Sequence, residues 1–197
     1  MNYLEALVSA NKIEGSLVEL GFGKGNSLKD FISFMNGGDA VKRNIWIYES
    51  FTGYNDPSPE DQDAFVKGGF KRPIQPAYDI KNTIKKEVQL IKGYIEDTLP
   101  SSYKSSEPIA VIHSHLVSYT STLHGLNALK GKIVDNGIII VTDYETFPGT
   151  KQAVDEFVSA NTHQWKLSKG ADDFVVIKKI KIVELDTKVT RTRTPAI

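Results

Sequence analysis

From about residue 16 to residue 160, short β-branched runs alternate with stretches whose apolar residues recur at helical spacing. This alternation constrains the fold more than any other feature of the chain. The runs Ser16–Leu20, Ile45–Tyr48, Val88–Ile91, Ile109–Ile112 and Ile138–Val141 have the length and composition of buried strands. Between them, Ser27–Met35 carries apolar residues at 28, 31, 32 and 35, and Tyr78–Lys86, Leu123–Leu129 and Lys151–Ala160 also read as helices. Ser118, Thr120, Ser121 and Thr122 are available to cap the third of these. Strands joined through helices run parallel, and the crossovers cover both faces of the sheet. The end of the chain breaks the rule. His163–Leu167 and Phe174–Val183 are β-rich with no helix between them, which predicts an antiparallel hairpin at the sheet edge. The expected architecture is one α/β domain over residues 1–187, followed by a polar, Thr-rich tail at 188–197.

The first strand runs into Glu19-Leu20-Gly21-Phe22-Gly23-Lys24-Gly25-Asn26-Ser27. Alternate glycines let the backbone turn tightly and approach a ligand closely, and the amides of the helix start offer donors to a polar or anionic group. A dinucleotide fingerprint needs G-x-G-x-x-G, and here the third glycine comes one residue early, which disfavours a nicotinamide cofactor. No G-x-x-x-x-G-K-[ST] is present, so a P-loop is excluded. An acid followed by G-x-G-x-G instead resembles the first motif of class I S-adenosylmethionine methyltransferases. The second strand ends in Glu49-Ser50, and a carboxylate at that strand tip suits a pair of ribose hydroxyls.

Composition narrows the partners. Lys+Arg and Asp+Glu are both 24, so the basic excess of a general nucleic-acid binder is missing. With no cysteine, thiolate metal sites, thiol nucleophiles and disulfides are excluded. Glu5 interrupts the apolar stretch at the N-terminus, which reads poorly as a signal peptide, and the longest aliphatic run, Ile138–Val141, is far too short to span a membrane. The expectation is a cytoplasmic protein acting on a small molecule, without nucleic-acid or membrane partners, with a second copy of itself as a candidate partner.

Five blocks, in order, resemble the macrocin O-methyltransferase family. They are Val18 through Ser27, Ile45 through Gly53, Lys92-Gly93-Tyr94-Ile95-Glu96-Asp97-Thr98-Leu99-Pro100, Ile109 through Thr122, and Gly137 through Tyr144 followed by Gly149 and Ala153–Phe157. The resemblance implies a Rossmann-like fold with a seven-stranded sheet, S-adenosylmethionine as methyl donor, and a hydroxyl of a sugar or other small metabolite as acceptor. It assigns Glu19, Gly21, Gly23, Gly25, Ser27, Glu49, Ser50, Gly93, Tyr94 and Asp97 to the donor. It also implies a magnesium ion held by three carboxylates at the ends of the fourth and fifth strands, and a longer N-terminal segment that helps cover the substrate.

At the metal positions this chain departs from the pattern. His115 stands where the fourth-strand aspartate belongs, Val117 replaces the second acid of that run, and the Asp-Asp-Tyr triplet has become Thr142-Asp143-Tyr144. Magnesium prefers oxygen ligands, so strong binding is not expected. Three readings stay open: a softer ion on His115 and Asp143; a metal-free site with His115 as general base beside Asp143, imidazole's ordinary pKa near 6.5 suiting that role; or a protein that binds the donor without transferring its methyl, as a binding or regulatory module. His113, two residues before His115, shares its strand face. His124 and His163 read as structural or surface residues. The long segment 52–76, with Tyr54, Phe65 and Phe70 among its prolines and glycines, is read as a lid or acceptor-binding loop, or as plain surface loop.

Overall fold

The structure is a computed structural model and describes residues 1–35, 43–84, 88–103 and 107–181. Seven strands form one sheet: β1 (Ser16–Leu20), β2 (Ile45–Glu49), β3 (Val88–Lys92), β4 (Ile109–Ser114), β5 (Ile133–Thr142), β6 (Trp165–Lys169) and β7 (Phe174–Lys179). Their order is β3-β2-β1-β4-β5-β7-β6. The first five are parallel, and β7 inserts antiparallel between β5 and β6. The mixed sheet and the terminal hairpin agree with the sequence reading. Val183 and the tail at 188–197 lie outside the described residues.

Among the described residues six helices cover the sheet: α1 (Tyr3–Ser9), α2 (Asn26–Met35), α3 (Gln75–Ile84), α4 (Ile95–Ser102), α5 (Tyr119–Leu129) and α6 (Pro148–Ser159). Alternate strand residues feed two cores. Val18, Leu20, Trp46, Tyr48, Ile139 and Val141 pack against α4, α5 and α6 through Ile95, Leu99, Leu126, Val154 and Phe157. Leu17, Ile45, Ile47, Ile138 and Ile140 pack against α1, α2 and α3 through Leu7, Leu28, Phe31 and Ala77. Burial on both faces is why the strands read as continuous apolar runs rather than alternating ones.

Two helices were not legible as periodic stretches. In α1, Asn2 accepts the Glu5 N–H at 2.9 Å while the Glu5 carboxylate accepts the Asn2 N–H at 2.8 Å, a reciprocal cap spelled by Asn2-x-x-Glu5. In α4, Pro100 breaks the helical pattern. Strand β5 starts five residues earlier than its apolar core because its ladder to β4 jumps from Ile133 to Ile138. The intervening Asp135-Asn136-Gly137 bulges, with Asn136 at φ +65°. The Ser118 hydroxyl caps α5 by accepting the Ser121 N–H at 3.2 Å, as its position predicted. Among the described residues no helix is long and apolar enough to cross a membrane.

Candidate active site

Chain order reverses between β1 and β4, the switch point at which open α/β sheets carry ligands outside their carboxyl ends. A cleft of about 720 Å³ lies here. Its inner wall is the glycine loop, where Gly21, Gly23 and Gly25 have φ of +83°, +53° and +74°. A β-carbon on Gly21 would sit 2.9 Å from the His115 carbonyl oxygen, so the loop packs backbone to backbone against the end of β4. The His115 N–H donates to the Leu20 carbonyl at 2.8 Å and closes this junction.

Glu49 ends β2 at the same wall. Its Oε2 accepts the N–H groups of Phe22 at 2.9 Å and Gly23 at 3.4 Å, and its Oε1 accepts the Phe51 N–H at 3.1 Å. One carboxylate thus holds the glycine loop and the start of the long loop together. Gly93 and Tyr94, between β3 and α4, continue the wall, joined by Glu96. The Ser121 hydroxyl donates to Glu96 Oε1 at 2.5 Å, while Glu96 Oε2 is buried without a partner among the described residues. Asp97, its neighbour in the first turn of α4, does not line the cleft.

At the β4–β5 end, the His115 ring lies against Gly23 and faces Thr142 and Asp143. Nδ1 is 2.8 Å from Thr142 Oγ1, and that hydroxyl is 3.3 Å from the Ser114 carbonyl oxygen, to which it donates. Nε2 is 3.4 Å from Asp143 Oδ2, and both side chains are partly open to solvent. Asp143 has φ +57°, a left-handed backbone that a non-glycine residue adopts at some strain. Among the described residues no three His, Cys, Asp or Glu side chains converge as metal ligands.

Segment 51–74 forms the outer wall and sends Tyr54, Asn55, Phe70 and Arg72 into the cleft. Tyr54 packs on Phe65 and Phe70 at 4.8 and 5.3 Å, and the Arg72 guanidinium lies 4.7 Å from the Phe70 ring. Burial, then the Asp143 carboxylate, pushes the Tyr54 phenol up to about 12, so it stays a hydroxyl. Asp61, 1% exposed, staples the segment to the body. Its Oδ1 accepts the Tyr119 N–H at the start of α5 at 2.7 Å, and its Oδ2 accepts the Ser58 N–H at 2.8 Å.

The structure therefore brings Gly21, Gly23, Gly25, Ser27, Glu49, Ser50, Gly93, Tyr94, His115 and Asp143 to one cleft. Glu19 is fully buried beneath it: Oε1 accepts the Ser27 hydroxyl at 2.7 Å, and Oε2 lies 3.0 Å from His113 Nδ1. Both of its oxygens face protein groups: β1 and β4 place Glu19 beside His113, and Ser27 in the first turn of α2 takes the other oxygen. Tyr3, Glu96 and His113 line the cleft without having been singled out as its ligands. The cap at Asn2 and Glu5 was the one local signal for the element that carries Tyr3.

Residues 1–177 match the family model described as Macrocin-O-methyltransferase (TylF). The chain is 26% identical over 160 residues to demethyldecarbamoylnovobiocin O-methyltransferase of Streptomyces niveus, covering 76% of this chain and 60% of that protein. It is 23% identical over 154 residues to 8-demethyl-8-(2,3-dimethoxy-alpha-L-rhamnosyl)-tetracenomycin-C 4'-O-methyltransferase of Streptomyces olivaceus, covering 73% and 58%. The chain thus spans about 60% of the length of these curated relatives. Among solved structures, the O-methyltransferase NovP superposes with TM-score 0.72 at 22% identity, over 90% of this chain and 76% of that one. The calicheamicin methyltransferase CalS11 superposes with TM-score 0.77 at 18% identity, over 88% and 76%. These likenesses establish a class I Rossmann-like fold.

Proposed function

The chain belongs to the macrocin O-methyltransferase family, and on that premise we propose that it transfers a methyl group from S-adenosylmethionine to a hydroxyl of a sugar or other small metabolite. The observation that carries this reading is the order of groups across one cleft. Glycine loop, Glu49 and Glu96 lie toward β1, β2 and β3, and His115 with Asp143 lies toward β4 and β5. The first set suits a nucleoside. Glu49 offers carboxylate oxygens to ribose hydroxyls, and Glu96 Oε2, unpartnered among the described residues, offers an acceptor to the adenine amine. The names of the two curated relatives, both O-methyltransferases, disfavour a binding module without methyl transfer.

When bound, the donor supplies a methyl group already activated by its sulfonium, so the protein must orient, exclude water and move one proton. Thr142 donates its hydroxyl to the Ser114 carbonyl and therefore accepts Nδ1–H of His115. The base role belongs to this tautomer, whose unprotonated Nε2 is at the cleft, 3.4 Å from Asp143 Oδ2. His115 Nε2 takes the proton of the acceptor hydroxyl as the oxygen attacks, and Asp143, 3.4 Å away, stabilises the imidazolium that forms. Tyr54, Phe70 and Arg72 hold the acceptor, the ring faces covering the apolar side of a sugar or aglycone.

The donor set at this end is one carboxylate, one imidazole and one hydroxyl, which does not fit a magnesium site built from three carboxylates. Calorimetric titration with S-adenosylhomocysteine, with and without magnesium, tests the reading. Micromolar binding indifferent to magnesium is expected; no binding under either condition overturns it.

A further inference from the structure

Arg72 lines the cleft, yet its guanidinium has no hydrogen-bond or ion-pair partner among the described residues, and its Nε is buried. The guanidinium lies instead 4.7 Å from the Phe70 ring centroid. Phe70 is 62% exposed and has φ +59°, a left-handed backbone that a bulky residue adopts at a cost. Tyr54, whose ring centroid is 5.3 Å from that of Phe70, is fixed by a short backbone ladder. Its N–H donates to the Gly69 carbonyl at 3.0 Å, and its carbonyl accepts the Gly68 N–H at 2.9 Å. A β-carbon on Gly53 would come 2.4 Å from the Gly68 carbonyl oxygen, so the two arms of the wall pack backbone to backbone. The loop thus spends strain and close packing on holding an open ring and a cation at the cleft.

A guanidinium stays charged in a protein, so its ligand chemistry depends on no assigned proton. Buried or half-buried cations are nearly always paired. Two carboxylates of the cleft are engaged elsewhere: Asp143 faces His115, and Glu49 holds backbone N–H groups. Burial, then Asp143, raise the Tyr54 phenol, and Arg72 opposes them, so the field of the guanidinium reaches the side of the cleft where Asp143 stands. A planar cation stacked on a ring keeps its edge for a ligand, and that edge matches the paired oxygens of a carboxylate or phosphate.

We propose that Arg72, stacked on Phe70, binds an oxyanion of the acceptor, a phosphate or a carboxylate, so that the hydroxyl methylated here belongs to an anionic metabolite. This rests on the methyl-transfer reading above and narrows its acceptor. A neutral acceptor would cover the guanidinium and leave it unpaired.

The test is calorimetry on the full chain saturated with S-adenosylhomocysteine. The probes are glucose 1-phosphate, glucuronate and the neutral methyl glucoside. At least one anion should bind the parent about tenfold or more tighter than methyl glucoside, and the tighter of the two tells phosphate from carboxylate. Arg72→Gln should weaken that anion about 10- to 100-fold, as expected for lost hydrogen bonds to a charged group, and leave methyl glucoside unchanged. Arg72→Lys keeps the charge without the planar fork and should recover only part of the loss. Affinity for S-adenosylhomocysteine should stay within a few-fold of the parent in both variants. If the parent binds neither anion, binds methyl glucoside as tightly, or loses nothing on Arg72→Gln, the anion subsite is overturned while the donor reading stands. If the parent does not bind S-adenosylhomocysteine, the donor reading fails, and the subsite fails with it as an acceptor site.

Discussion

Glu49 Oε2 accepts the backbone N–H of Phe22 at 2.9 Å, so the acid at the tip of β2 is bound to the glycine loop that leaves β1. The residue proposed to hold the ribose therefore also shapes the loop beside it. Glu49→Ala removes an acceptor for Phe22, Gly23 and Phe51 as well as a partner for the ligand. Binding of S-adenosylhomocysteine should weaken by about 1–3 kcal/mol. Calorimetry checks this, and an unchanged affinity removes Glu49 from the site.

Asp61 ties the outer wall to α5 from 58 positions away in sequence. Asp61→Ala leaves the Tyr119 and Ser58 N–H groups without their carboxylate and should lower unfolding stability by about 1–3 kcal/mol in urea titration. If the wall holds the acceptor, KM for the acceptor should rise more than the dissociation constant for S-adenosylhomocysteine. Equal effects on both would detach the wall from acceptor binding.

Gly149 lies against the same carboxylate: a β-carbon there would come 1.8 Å from Asp61 Oδ1 and 2.8 Å from the Tyr119 nitrogen. Gly149→Ala should therefore destabilise by at least about 1–3 kcal/mol, the usual range for overpacking. A thermal midpoint equal to that of the parent would show that Asp61 moves aside freely.

Chelation should leave methyl transfer essentially intact, because His115 and Thr142, 2.8 Å apart, stand where the family resemblance places two of the magnesium carboxylates. Turnover before and after exhaustive EDTA treatment measures this. Abolition by EDTA, with recovery on adding magnesium alone, would contradict the metal-free account.

The alternation of strands and helices and the glycine wall were legible because each depends on local signals. Val18 through Ser27 spells strand, turn and helix in one stretch, and Ile138–Val141 announces a buried strand. What was not legible depends on distant residues. Glu19 reads as a ligand group at a strand end, yet its neighbour across β1 and β4 is His113, and no local pattern records that register. Glu96 and Asp97 stand side by side in the sequence, and only the packing of α4 against α5 turns Glu96 toward Ser121 and the cleft. Asp61 looks like an ordinary loop acid, and its partner Tyr119 lies far along the chain.

The central claim is that this cleft methylates a hydroxyl with His115 taking the proton. Its most direct test follows label from methyl-labelled S-adenosylmethionine into a panel of hydroxylated glycosides and nucleotide sugars, with parent and His115→Gln side by side. The variant retains size and hydrogen bonding and loses proton acceptance. The account predicts transfer by the parent, a fall of about 10²–10⁴-fold in the variant, and S-adenosylhomocysteine affinity within a few-fold of the parent. Transfer by His115→Gln at the parent rate from pH 6 to pH 9 would contradict it.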